Sequence, residues 1–498
     1  MIDLLLINPA ASREVYGPLN DEFVAIEPPL WLRLIAGYVR DRGFSVMILD
    51  AEAEQQGHHE VGQIARDIRP RLACIVAMGH QPSASTQSMV GASKVARAIK
   101  SQYDCALIIV GGHPSALPER TLHDEVVDYV AVGEGPATIM AMLQQPLLGP
   151  GVAISNIESI PGLAFRFRDE VRINPRAPLI EDLRELHGHV WDRLPMRRYK
   201  SHTWQSFGDL SKRQPYASIY TSLNCPWACH FCCISAPFGG KRYQMRRPDD
   251  VVDEIEYLHE EHGVSTLKIT DEMFVLNRRH YTAICEGVIR RGLGSKLNIW
   301  AYARVDTVEP DTLDMLRAAG IQWLALGIES ASKHVRDGAQ KKLRTEDIVG
   351  TVRTIQSHGI RVIGNFMFGL KDDSSETMQQ TLDLALECMP DFGNFYSVQA
   401  YPGSALYDEA IAKGWTLPET WSGYSQHNED TRPLDTEHLT GAEVLAFRDA
   451  AFTRFFTDDR YRAHVADKFG ADTLAHVEKM VGYKLRRKLL EGEARENA

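Results

Sequence analysis

The chain has 498 residues, a formal net charge of −11 at neutral pH, and 44% hydrophobic against 24% charged residues. At about 100–200 residues per domain this predicts two to four domains, and the ordinary apolar content with mixed charge excludes a disordered chain. The 37 Gly and 24 Pro follow no period, which excludes a collagen-like chain, and Asp plus Glu (66) outnumber Lys plus Arg (55), which argues against a general nucleic-acid binder.

No run of about 18 apolar residues predicts a membrane span, and the start Met1–Pro9 lacks the basic region of a secretory leader. A cytoplasmic protein is expected.

Residues 1–145 alternate short apolar runs (Leu4–Ile7, Phe44–Leu49, Ala73–Met78, Ala106–Val110, Tyr129–Val132) with helix-length segments such as Leu30–Arg42, His58–Arg69 and Ser85–Ser101. This order predicts βαβ units and a doubly wound, Rossmann-like parallel sheet. Turn residues follow the strands, as in Asn8-Pro9, Gly111-Gly112 and Gly133-Glu134-Gly135, and ligands of such sheets bind at those carboxyl ends. A dinucleotide would call for G-x-G-x-x-G after the first strand; Asn8-Pro9-Ala10-Ala11-Ser12 stands there instead. Residues 146–210, rich in Pro and scattered charge, read as a linker. From 211 to 414 the alternation resumes with six strand candidates, from Ala217–Leu223 to Phe395–Ala400, predicting a partial (β/α)6 barrel of TIM type whose chemistry sits at the carboxyl ends of its strands. Residues 415–498 read as mostly helical. Their aromatics, Trp415 and Trp421 among them, read as core, and the basic run Tyr483–Lys488 reads as a solvated helix face.

Of eight cysteines, four fall within 225–233, in Asn224-Cys225-Pro226-Trp227-Ala228-Cys229-His230-Phe231-Cys232-Cys233, directly after the first strand of the second unit. A disulfide scaffold would spread its cysteines; this cluster points to metal. Cys225, Cys229 and Cys232 are spaced C-x3-C-x2-C, which suits three irons of a cubane; a fourth ligand from elsewhere would close it for plain electron transfer, and without one an iron is open to a substrate. The competing readings are a structural zinc site, which would call for a second C-x2-C pair that is absent, and chance clustering. His230 reads as a spacer and Cys233 as a structural thiol.

This loop, with Phe231 at the aromatic position, resembles that of the radical S-adenosylmethionine (SAM) superfamily. The resemblance continues over about 190 residues. It implies that Asp271 or Glu272, in Lys268–Phe274, accepts from the SAM amino group. Arg304 would pair with the SAM carboxylate or a substrate anion, a rim salt bridge being the alternative. Glu329 and Ser330 would face the ribose, and Asn365 would lie at the end of the fifth strand. The ending Tyr401-Pro402-Gly403-Ser404-Ala405-Leu406-Tyr407 also matches.

In the first unit, Val110–Glu119 followed by Asp128–Gly135 resembles the cobalamin-binding domain that precedes radical SAM cores. The candidate contacts are Ser83, Ser85, Gly111, Gly112, His113, Gly133, Glu134 and Gly135. In the stretch read as equivalent to the family's D-x-H-x-x-G, Asp50–Gln55, Glu52 replaces the histidine, so no histidine ligand to cobalt is expected there.

Together the resemblances imply a cobalamin-dependent (B12) radical SAM enzyme with a [4Fe–4S] cluster, SAM and cobalamin, most members of which are methylases. The expected partners are a small-molecule substrate and an external one-electron reductant of the flavodoxin or ferredoxin type. A non-methylating oxidation, cyclisation or rearrangement uses the same cofactors. A methylthiotransferase would call for three more cysteines in the first unit, where only Cys74 and Cys105 occur. A corrinoid or redox sensor would form no deoxyadenosine.

Overall fold

The computed structural model describes residues 2–79, 82–145, 156–344 and 347–496. The first sheet contains β1 (Leu4–Asn8), β2 (Val46–Asp50), β3 (Leu72–Ala77), β4 (Ala106–Gly111), β5 (Tyr129–Ala131), β6 (Leu163–Phe167) and β7 (Glu170–Ile173) in the order β2-β1-β3-β4-β5-β6-β7. Strands β1 to β5 run parallel, and β6 and β7 add antiparallel at the β5 edge. Every residue of β3 and the first four of β1 are buried, which is why they read as unbroken apolar runs. The helices Leu30–Arg40 and Pro136–Leu143 cover one face, against Leu4, Leu6 and Leu72. His58–Ile68 and Pro82–Gln102 cover the other, against Leu5, Ile7 and Ile75. The strand order reverses between β1 and β3, the place where a doubly wound sheet opens a ligand crevice.

The first sheet continues past the boundary expected at 145: the β6–β7 hairpin carries it to Ile173. Three-residue β5 would otherwise leave a bare edge; β6 pairs with it from Leu163 to Phe165, all three buried. Short turns then lead to the second sheet, made of β8 (Tyr216–Ile219), β11 (Thr266–Ile269), β12 (Asn298–Arg304), β13 (Ile321–Glu329), β14 (Arg361–Phe368) and β15 (Phe392–Ser397). These six are parallel in the order β15-β14-β13-β12-β11-β8, an open barrel. Between β8 and β11, β9 (Ser222–Leu223) pairs antiparallel with β10 (Gln244–Met245) and fences off the loop that carries the cysteines.

The helices Gly441–Phe456, Asp459–Phe469 and Ala471–Gly482 pack on the barrel. The basic run is not a solvated helix face: Tyr483–Arg487 is outside any helix, and Arg487 is buried, bonding Asp449 at 3.0 Å and the Gln426 and Asn428 carbonyls at 3.2 Å each. Among the described residues no helix is long and apolar enough to cross a membrane.

The two sheets are joined by a buried charge cluster. Arg33, on the helix after β1, lies 3.5 Å from Glu254 of the first barrel helix, stacks on Trp191, and donates to the Ser218 carbonyl of β8 at 2.8 Å. Glu254 also accepts from Arg246 (2.6 Å) and Trp191 Nε1 (3.1 Å). Burial pushes the Glu254 carboxyl up, but Arg246 and Arg33 more than offset it and hold it below the ordinary value. Glu254→Ala strands two buried guanidinium groups and should cost about 3–5 kcal/mol in denaturant unfolding. A loss under 1 kcal/mol would contradict this account of the interface.

Candidate functional site

The cysteine loop is held by its first residue. Asn224 adopts a left-handed backbone (φ +65°), its side-chain oxygen accepts from Cys225 N (2.7 Å) and the Ser235 hydroxyl (3.0 Å), and its amide donates to Gly240 O (2.6 Å). Cys232 N donates to Cys229 O at 3.0 Å, closing a tight turn. His230 turns away, its ring 2.9 Å from Glu409, and Phe231 packs beside the Val335–Leu406 cluster. Burial pushes the Cys225 thiol up to about 11 and raises Cys232 well above the ordinary thiol value, with Cys233, Cys229 and Cys225 adding to the rise at Cys232. The three thiols thus lie within electrostatic reach of one another. Among the described residues no three His, Cys, Asp or Glu side chains converge as a single metal ion requires. A cubane spreads its thiolates over separate corners, and this donor set fits one. Binding iron would release the protons of these thiols. Cys233 is buried and faces the neighbouring cleft.

The strand ends around this loop divide into committed and open groups. Asp271 accepts from Thr221 N (2.6 Å), Thr221 Oγ1 (2.5 Å) and Ser222 Oγ (2.6 Å), so its carboxylate braces the approach to the cysteines. Glu272 keeps Oε2 buried and without a partner, lies in electrostatic range of Cys225, and is pushed up to about 8 by burial. Of the two carboxylates proposed from the sequence for the SAM amino group, only Glu272 is open. Arg304 takes the rim alternative: it bonds Asp306 (2.9 Å) and Lys342 O (2.5 Å) and stacks 4.4 Å over Trp227 of the cysteine loop. Glu329 also has a left-handed backbone (φ +65°) and accepts from Lys341 at 2.8 Å. Burial lowers the Lys341 ammonium, but Glu329 and then Cys229 raise it above its ordinary value, so a fixed cation stands beside the cysteines. No motif singles out Lys341, which lies in the polar run Gln340–Arg344. A Cβ on Gly327 would fall 2.7 Å from both Glu329 Oε1 and Lys341 Nζ, so the strand leaves room for this pair. Ser330 bonds Thr381 (3.2 Å), and Asn365 bridges Leu326 O (3.1 Å) and Asn394 (3.0 Å), both inside the framework.

The first sheet turns its glycine-rich loops to the same place. A narrow cleft is lined by Gly79, Ser85, Gly112 and His113 on one side and by Leu223, Cys233 and Glu272 on the other. Gly111 leaves no room for a side chain, since a Cβ would fall 2.3 Å from Ala77 O, whereas Gly112 is open. His113 accepts or donates through Nε2 to Thr86 (3.2 Å), has Nδ1 buried without a partner, and is pushed down to about 3 by burial, so it is neutral. Gly133 and Gly135 have φ of +132° and +102° and set Glu134, which accepts from Ile180 N (3.1 Å) through one oxygen and leaves the other buried and unpartnered. Such orphaned polar atoms beside small residues fit a large amide-bearing ligand such as a corrin. Ser83 falls in the helix Pro82–Gln102, and its side chain lies outside what the structure describes. Glu52 caps the loop after β1, accepting from Ala11 N (2.8 Å) and Ser12 N (3.1 Å), and Asp50 is bonded to Asn8 and Tyr199 at 2.7 Å each.

Burial raises the Glu134 carboxyl to about 7 from an ordinary 4.5. A raised folded-state value means that stability is fully present below the unfolded value and lost as pH rises through the folded one. Between pH 4.5 and about 7 the ligand-free protein should therefore lose about 3 kcal/mol that Glu134→Gln does not lose. Parallel pH profiles in urea unfolding for the two proteins would contradict this.

Family models match the chain twice: a B12 binding domain over residues 17–143 and the radical SAM superfamily over residues 219–385. The chain is 27% identical over 431 residues to an uncharacterized methyltransferase of Pyrococcus horikoshii, covering 86% of this chain and 88% of that one. It is 26% identical over 434 residues to the anaerobic magnesium-protoporphyrin IX monomethyl ester cyclase of Cereibacter sphaeroides, covering 86% of this chain and 67% of that one. Its fold matches the radical SAM methyltransferase TsrM from Kitasatospora setae, solved with cobalamin and a [4Fe–4S] cluster, at a TM-score of 0.66 and 17% identity over 92% of this chain and 90% of that one. The chain thus carries a B12 binding domain ahead of a radical SAM domain.

Proposed function

We propose that the protein is a cobalamin-dependent radical SAM methyltransferase acting on an unactivated carbon, or a phosphorus, of a small biosynthetic intermediate. One observation supports this reading above the rest: the glycine-rich strand ends of the first sheet line one cleft with Cys233, which follows the third cysteine of the motif, and with Glu272. When bound, the cluster, SAM and cobalamin supply an electron, a 5′-deoxyadenosyl radical and a transferable methyl group.

The chain's own residues bind and position. Cys225, Cys229 and Cys232 hold three irons and leave the fourth to SAM. Glu272 offers its free carboxyl oxygen to the SAM amino group, and the Lys341–Glu329 pair balances charge beside the cysteines while Glu329 faces the ribose. Arg304 clamps Trp227 and so fixes the loop. Gly112, His113 and Glu134 contact the corrin, and Trp31, Leu223 and Phe238 keep water from the cleft. The cleft is narrow, about 40 Å³, so binding a corrin there would require its walls to separate. An external one-electron reductant of the flavodoxin or ferredoxin type completes the system, in the cytoplasm.

The likeness to a cyclase favours a second reading, a non-methylating oxidation or ring closure with the same cofactors. Anaerobic protein loaded with cobalamin and iron, then given SAM and reductant, separates them. Methyl transfer predicts both 5′-deoxyadenosine and S-adenosylhomocysteine. Cys225→Ala, Cys229→Ala or Cys232→Ala should abolish deoxyadenosine, and Cys233→Ala should keep it. Deoxyadenosine without S-adenosylhomocysteine would support the second reading, and a protein that takes up no corrin would contradict both.

A further inference from the structure

A second, larger cavity of about 610 Å³ opens beside the cleft, where the loop after β1, the barrel interior and the C-terminal helices meet. Its size is that of a site for a drug-sized molecule. Trp204, Trp300, Phe395 and Phe452 supply aromatic walls.

The charged groups inside it are matched within the protein. Lys268 Nζ bonds both oxygens of Glu27 (2.9 and 3.1 Å), and Arg448 bonds Asp449 (2.8 Å) and Phe395 O (2.8 Å). Glu52 is held by the Ala11 and Ser12 amides. Among the described residues, the lining cation without an ion pair is Lys484, which is exposed at the rim. An anion placed deep in the cavity would find no free positive charge and would bear its own desolvation.

Two hydroxyls are different. Tyr302 on β12 and Tyr396 on β15 line the cavity, and neither phenol has a hydrogen-bond partner among the described residues. Tyr302 is within electrostatic reach of both Tyr396 and Glu272, which connects this space to the cysteine site. Burial holds both phenols protonated, so each can donate as well as accept.

We propose that this cavity takes an uncharged, ring-bearing molecule whose hydroxyl or carbonyl oxygen is read by Tyr302 and Tyr396, and that phosphorylated or nucleotide-linked molecules are disfavoured there. Calling that molecule the substrate rests on the function proposed above; its chemical class rests on the cavity alone.

Three probes with one ring system test it on the cofactor-loaded full chain by equilibrium dialysis: naphthalene, 2-naphthol and 2-naphthyl phosphate. One or two hydrogen bonds should make 2-naphthol bind about three- to tenfold more tightly than naphthalene. The phosphate should bind more weakly than either. The double variant Tyr302→Phe/Tyr396→Phe should erase the advantage of 2-naphthol while leaving naphthalene unchanged, which also shows that the variant is folded. An unchanged 2-naphthol to naphthalene ratio in the double variant, or a phosphate that binds as tightly as 2-naphthol, would overturn the proposal. Iron and corrin assays on the same samples keep the two readings apart. Protein without corrin that retains the 2-naphthol preference supports this proposal while contradicting the proposed function.

Discussion

A cubane tied to protein by three thiolates has one iron short of a ligand, and in the proposed site that shortfall sets what the surrounding residues must do. The thiols must be buried so that water does not fill the place, yet burial raises Cys225 and Cys232 and opposes the charged form that binds iron. The protein meets this conflict with the fixed Lys341 cation beside Cys229 and with a loop whose shape is set by Asn224 and by Arg304 stacked on Trp227. Asp271 ties β8 and β9 together under the loop, leaving Glu272 as the carboxyl group free to meet a ligand.

The second requirement is distance. The methyl transfer proposed above would work only if the two domains hold a fixed relation. The Arg33–Glu254–Arg246 cluster supplies it. Arg33 comes from the helix after β1 and bonds the Ser218 carbonyl, and Arg246 bonds the Tyr220 carbonyl, both on the segment that runs into the cysteine loop. Trp421 adds a contact from the C-terminal region, donating to Glu125 of the first unit at 2.9 Å and lying 6.0 Å from His113. The cleft between the sheets is therefore a built interface.

Much of this was legible in the residues. Unbroken apolar runs such as Leu72–Ala77 mark parallel strands because both faces are covered, and C-x3-C-x2-C is so dense that little else explains it. The β6–β7 hairpin was hidden because Glu170–Ile173 is short, half exposed and flanked by prolines. Which of Asp271 and Glu272 is open depends on Thr221 and Ser222, about 50 residues earlier, and no local pattern reports such a pairing. Arg487, in a run that reads as a solvated face, and Lys341, which no motif singles out, are hidden for the same reason: a charged residue in a polar run is buried only when distant partners, here Asp449 and Glu329, receive it.

The open iron can be tested without knowledge of the substrate. Electron–nuclear double resonance on the reduced cluster, with SAM isotopically labelled at its amino nitrogen, reads whether SAM is chelated to the cluster. The account predicts a hyperfine coupling from that nitrogen in the native protein and in Cys233→Ala. A cluster that gives no such coupling because a side chain fills its fourth corner, or a protein that carries zinc in place of iron, would contradict it.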